Sequence, residues 1–202
     1  MLKLAAGVKW SKYRERKLSD AAALTTQRDA VIAETVRWVE RAVIGLNLCP
    51  FAKAVHVKGQ IRYSVCVSRT TGALRSELIR ELQVLADADA SDIDTTLLIH
   101  PNVLTDFFDY NDFLQVADAA VAELKLDGVI QVASFHPHYQ FAGTETDDIG
   151  NCTNRSPYPT LHLLREASVT RAVAAFPAAG EIFEKNIKTM AALGRAGWDK
   201  LL

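Results

Sequence analysis

His136, His138, Cys152 and Arg155 all fall within one stretch that runs from Phe135 to Pro159. Imidazole and thiolate are ligands for zinc or iron, imidazole moves protons near neutral pH, and a guanidinium fork grips carboxylate or phosphate at two points. The stretch has almost no aliphatic side chains, and its aromatic and Pro residues argue against disorder. Connections this long in a compact domain are usually functional.

Two His-Pro pairs frame the chemistry, His100-Pro101 and His136-Pro137, each at the end of an expected strand. If those strands are parallel, both imidazoles stand at one edge of the sheet, where ligands of α/β proteins collect. They would there do acid/base work or bind a metal, with Tyr139 beside them. The plainer reading is that each ring bonds a loop carbonyl while the Pro ends the strand. His136 and His138, alternating on an extended segment, could grip one divalent metal, with Cys152, Cys49 or His100 completing an N/S set. A lone H-x-H lacks the second ligand pair that makes a zinc signature specific.

Cys49 offers a thiolate nucleophile, although its place after a helix C-terminus disfavours an anion, so packing at a helix end is the alternative. Arg155, with Asn154 and Ser156, leads into an expected helix whose free N–H groups would join Arg155 and Asn102 in holding an anionic substrate. Its alternative is pairing with Asp147 or Asp148 to lock the loop. His162 is expected on that helix as a packed residue. The acids Asp106, Asp109 and Asp112 lack calcium-loop spacing and read as an ordinary helix start. No P-loop, dinucleotide fingerprint, nucleophile elbow or C-x-x-C occurs.

Hydrophobic periodicity supplies the elements that must position these groups. Ile32, Val36, Val39, Val43 and Leu46 predict a helix from about Leu24 to Asn47, stopped by Pro50. Ile61, Tyr63, Val65 and Val67 alternate as a strand, with Cys66 on the polar face. Leu74, Leu78, Leu82 and Leu85 make the stripe of a second helix. Thr95 to Ile99 reads as a buried strand. A third helix is expected over roughly Asn111 to Leu126 with Gly128 at its stop, and Val129 to Phe135 as the next strand. Beyond the long loop, Leu161, Leu164, Val169 and Val173 predict a helix to Pro177, and a last one starts at Glu181. Strand, helix, strand, helix, strand implies an α/β fold, a single domain with a small, mainly parallel sheet of about three to four strands, flanked by helices and with a helical C-terminal part.

Composition sets the outer bounds. The chain has 202 residues, 49% hydrophobic and 23% charged, with a formal net charge of -1. That suits one globular core, expected over residues 29–202, and gives no reason to expect a nucleic-acid or membrane partner. Three Cys without framework spacing suit a cytoplasmic protein. Residues 1–28 form a basic N-terminal extension, with Lys3, Lys9, Lys12, Arg14, Arg16 and Lys17 against Glu15.

The segments Asn47 to Ala52, Leu98 to Leu104, Asp109 to Phe113, Ser134 to Pro137, Tyr139 to Thr144 and Asn154 to Glu166 resemble the bacterial family catalogued as domain of unknown function 1415, over about Ala30 to Trp198. The resemblance implies a motif set of Cys49, His100, Asn102, His136, Tyr139 and Arg155, with His138 and Cys152 outside its fixed letters. It supplies no activity and no cofactor. The expectation is an enzyme acting on a small anionic metabolite at a His/Arg/Cys-lined cleft at the strand ends. The rival is a non-catalytic ligand- or metal-binding module, or an interaction protein.

Overall fold

A computed structural model of the chain describes residues 23–175 and 179–201. The expected extension, residues 1–28, lies outside them except for its end, which is already helical. Helix α1 covers residues 23–38 and runs on through a wider π-helical turn, Val39–Ile44. Val31, Trp38, Val39 and Ala42 are its buried side. The tight exit depends on Gly45, where a Cβ would stand 2.2 Å from the Arg41 carbonyl oxygen. A short helix not foreseen from periodicity, α2 (Ala52–Val57), follows Pro50.

The remaining order is β1 (Ile61–Val65), α3 (Thr71–Asp87), β2 (Thr95–Ile99), α4 (Phe107–Glu123), β3 (Ile130–Phe135), a 3-10 turn (Ile149–Asn154), β4 (Thr160–Arg165), α5 (Glu166–Ala175) and α6 (Ile182–Trp198). Thr70 caps α3 through Ala73 N–H, and Asp106 caps α4 through the N–H groups of Phe108 and Asp109. That capping accounts for the acids at the start of α4.

The sheet is four-stranded and mixed, in the order β1-β2-β4-β3. This corrects the mainly parallel expectation: β1 and β2 pair in parallel, but β4 runs antiparallel to both β2 and β3. The difference comes from Thr160 to Arg165, whose Leu161 and Leu164 fit a helical stripe. Leu161 and Leu163 are instead both 0% exposed on one face of β4, while His162 and Leu164 point to the other. Pro157 and Pro159 lead the chain in extended, and the helix starts only at Glu166.

Each face of the sheet carries its own apolar cluster. On the first, Leu74, Leu78, Leu82 and Leu85 of α3 and Tyr110, Phe113, Ala117 and Ala120 of α4 pack on Leu98, Leu161, Leu163 and Ile130. Fully burying one such leucine contributes about 1.5–3 kcal/mol. Glu81, 0% exposed on this face, is held by Arg62, Ser64 and Arg80. Burial alone would raise its pKa, yet those partners keep it below the usual carboxylate value. On the second face, α1, α6 and the long loop supply Val31, Trp38, Ala42, Cys152, Met190 and Trp198, packed on Val65, Leu97 and Ile99. No helix among the described residues is long and apolar enough to cross a membrane.

Candidate functional site

β2 and β3 both run antiparallel to the β4 strand between them, so His100 and His136 do come to the same edge of the sheet. There they are sealed. Both residues are 0% exposed. His100 donates Nδ1–H to the Val103 carbonyl at 2.9 Å, and its ring stacks on Tyr110 with centroids 5.7 Å apart. His136 donates Nε2–H to the Leu104 carbonyl at 3.2 Å and accepts His138 N–H at Nδ1 at 3.0 Å. Tyr110 Oη donates to the Thr160 carbonyl and accepts Phe135 N–H, tying α4 to β4 and β3. Burial, ahead of every other cause, pushes both imidazoles down to about 4, so they are neutral at pH 7. His100 Nε2 is buried without a partner among the described residues. The arrangement matches the plainer expectation, rings that bond loop carbonyls.

The other loop residues are also spent on backbone. Arg155 donates Nε–H to the Tyr139 carbonyl (3.3 Å) and Nη2–H to the Thr146 carbonyl (2.7 Å), rather than pairing with Asp147 or Asp148. With β4 where a helix start was expected, the cradle of free N–H groups beside Arg155 does not form. Asn102 donates to the Val67 carbonyl, Asn154 to the Ser134 carbonyl and Ser156 to the Tyr158 carbonyl. Tyr139 packs its ring between Phe107 (5.2 Å) and Phe141 (4.9 Å). Cys152 lies 0% exposed in the second cluster, 3.7 Å from Arg195 Nη1, and burial pushes its thiol up. Among the described residues no three His, Cys, Asp or Glu side chains gather as a metal-ligand group. His136 in particular has both ring nitrogens engaged.

A pocket of about 400 Å³ lies beside this sheet edge, lined by Glu34, Arg37, Trp38, Pro137, Ser156 and Pro157, and a larger one opens on the second sheet face toward the N-terminal ends of β1 and β2. A half-open cavity of about 820 Å³ lies between that face, the α1–α2 corner and α5. That volume falls in the range of pockets for drug-sized organic ligands. Its floor follows the strand period of two: Thr95 and Leu97 of β2, His162 and Leu164 of β4, Gln131, Ala133 and Phe135 of β3. Its walls are Trp38, Val39, Val43, Pro50, Phe51 and Val55, and Cys49 stands among them. The roof is α5, through Val169, Ala172 and Ala175, a helix that buries no residue of its own.

Cys49 is the one residue of the expected site set that reaches this cavity. It is carried there by the reversal after α1, where Asn47 adopts φ 54. At the mouth, Ser168 Oγ donates to Asp94 at 2.6 Å and accepts from Arg171 at 2.9 Å, with Lys58 nearby on the lining.

His162 is the titratable group of the floor, with Thr95 and Gln131 as its polar neighbours. Thr95 Oγ1 lies 2.7 Å from the Leu163 carbonyl oxygen, which can only accept, so the single hydroxyl proton is committed there. The same oxygen lies 2.7 Å from His162 Nε2, which must therefore donate. The ring is then the Nε2–H tautomer, with a bare lone pair on Nδ1 and no donor for it among the described residues. Burial alone pushes this imidazole to about 4. Reading Thr160 to Arg165 as helix hid His162 from the sequence analysis. The signal was available in the strict alternation of Leu161, His162 and Leu163 after Pro-Tyr-Pro.

Fold and cavity together define a four-stranded mixed α/β protein whose sheet faces a mainly apolar chamber. The chain belongs to the family described as "Protein of unknown function (DUF1415)", whose model matches residues 30–200. No curated protein and no solved structure matches it.

Proposed function

We propose that the protein binds a small, largely apolar organic molecule in the cavity between the sheet and α5, with His162 as the polar group that orients it. The observation that carries this reading is the chamber of about 820 Å³ with an unpaired imidazole nitrogen in its floor. Recognition fits better than general-base catalysis. A ring pushed to about 4 takes up protons poorly at neutral pH, whereas a base is most effective near the working pH. Two sheet faces sharing one sheet support a single domain over residues 29–202. The free cysteines Cys49, Cys66 and Cys152 support a cytoplasmic location.

Titration with naphthalene, followed by its fluorescence, tests the reading. Ala133→Leu fills the cavity from the floor and Ala172→Phe from the roof. Each is expected to weaken binding by at least roughly tenfold, since a blocked apolar contact of one side chain is of order 1.5 kcal/mol. The far-ultraviolet circular dichroism should not change. Bound probe should also slow alkylation of Cys49. Equal affinity in all three proteins, with Cys49 alkylated at one rate throughout, would contradict the proposal.

A further inference from the structure

We infer that the ligand presents a hydrogen-bond donor, a neutral alcohol or phenol on an apolar ring body, to Nδ1 of His162. This rests on the cavity reading above and adds the chemistry of the ligand to it.

The inference follows from how few protons are available on the floor. Thr95 has one hydroxyl proton and gives it to the Leu163 carbonyl. That leaves His162 Nε2 to donate to Thr95 and Nδ1 to accept from whatever enters. Nδ1 faces the cavity, so a ligand that fills that space without offering a donor would leave the acceptor unpaired, whereas a ligand hydroxyl is rewarded there. A carboxylate is not, because its oxygens would face the imidazole lone pair. Protonating the ring to welcome an anion is opposed by the same burial that surrounds it.

Gln131 extends the argument. It pairs with Leu164 while Ala133 pairs with His162, which makes Gln131 the diagonal neighbour of His162 on the cavity face. Its amide has no hydrogen-bond partner among the described residues and can accept from, or donate to, the same hydroxyl. Lys58 and Arg171, with Asp94 between them through Ser168, stand apart from the floor and would meet a charged group only at the rim, so the floor alone sets the preference at Nδ1.

Three probes of one shape decide it: naphthol, naphthalene and naphthoate, substituted at the same ring position, titrated into the full chain. Naphthol is expected to bind roughly tenfold tighter than naphthalene, the size of one satisfied buried hydrogen bond, and naphthoate weaker than either. His162→Phe should erase the advantage of naphthol over naphthalene, the two probes then binding within about twofold of each other. Thr95→Val is a second variant, near in shape, that releases Nε2 from its donor role. The ring can then turn a proton toward the cavity, so naphthoate should gain on naphthol. Naphthalene binding with no preference for naphthol, or with naphthoate tightest, overturns the ligand class and leaves the cavity reading standing. Failure of all three to bind overturns both.

Discussion

Two parts of the molecule hold imidazoles that are equally reluctant to ionise, yet they are built to opposite ends. At the strand edge, His100 and His136 bond the carbonyls of Val103 and Leu104, and the rings of Tyr110 and Phe107 close over them. On the sheet face, His162 makes one bond to Thr95 and turns its other nitrogen to empty space. Burial lowers all three to about 4, so the shift by itself does not mark a site. What separates the regions is where the unused nitrogen lies: His100 Nε2 is shut inside side-chain packing, whereas the free nitrogen of His162 faces a cavity that a ligand can enter.

The comparison breaks first if the strand edge is not structural. Tyr110 fixes that edge through two hydrogen bonds and is 0% exposed. Tyr110→Ala should lose roughly 3–5 kcal/mol of stability in urea denaturation, as for other buried aromatics. Tyr110→Phe should lose about 1–3 kcal/mol by orphaning Phe135 N–H and the Thr160 carbonyl. Losses well under 1 kcal/mol from both would mean that the edge is not holding the fold together.

Acid sharpens the comparison next. Each of the three histidines goes from 6.5 in the unfolded chain to about 4 when folded. The folded state therefore binds fewer protons, and stability present above pH 6.5 is lost as pH falls toward 4. Each ring contributes a slope of about 1.4 kcal/mol per pH unit in that window. His100→Asn keeps an N–H for the Val103 carbonyl and should flatten the slope by one proton. An unaltered slope would show that His100 is not held neutral.

Arg155 gives a smaller effect. Arg155→Ala removes the bonds to the Tyr139 and Thr146 carbonyls and should cost about 1–3 kcal/mol. Hydrogen exchange over residues 139–155 should quicken while naphthalene affinity stays the same. Weakened probe binding without faster exchange would place Arg155 in ligand recognition after all. Ala133→Leu, the smallest change, should alter stability by less than about 1.5 kcal/mol, because it adds volume where there is room.

Periodicity carried the elements that sit against a core. The stripe Leu74, Leu78, Leu82 and Leu85 became α3, and the run Thr95 to Ile99 became the fully buried β2. The alternation of Ile61, Tyr63 and Val65 became β1. It misled at Thr160 to Arg165, where two leucines three apart satisfy a helical stripe as well as two strand faces. That error had a large consequence, since β4 is the strand that makes the sheet mixed and carries His162. The convergence of His100 and His136 was legible from the two His-Pro pairs. Their burial was not, because it depends on Tyr110 and Phe107 arriving from α4. The cavity was hidden for a similar reason. It is a gap between elements, and α5 spans it without filling it.

The most direct test is a long-range proton–nitrogen NMR spectrum of the histidine rings at neutral pH, recorded before and after saturation with naphthol. The account predicts that His162 carries its proton on Nε2 and that its Nδ1 resonance moves strongly on binding, while those of His100 and His136 stay in place. A doubly protonated His162, or a ligand that shifts the strand-edge rings and leaves His162 unmoved, would contradict it.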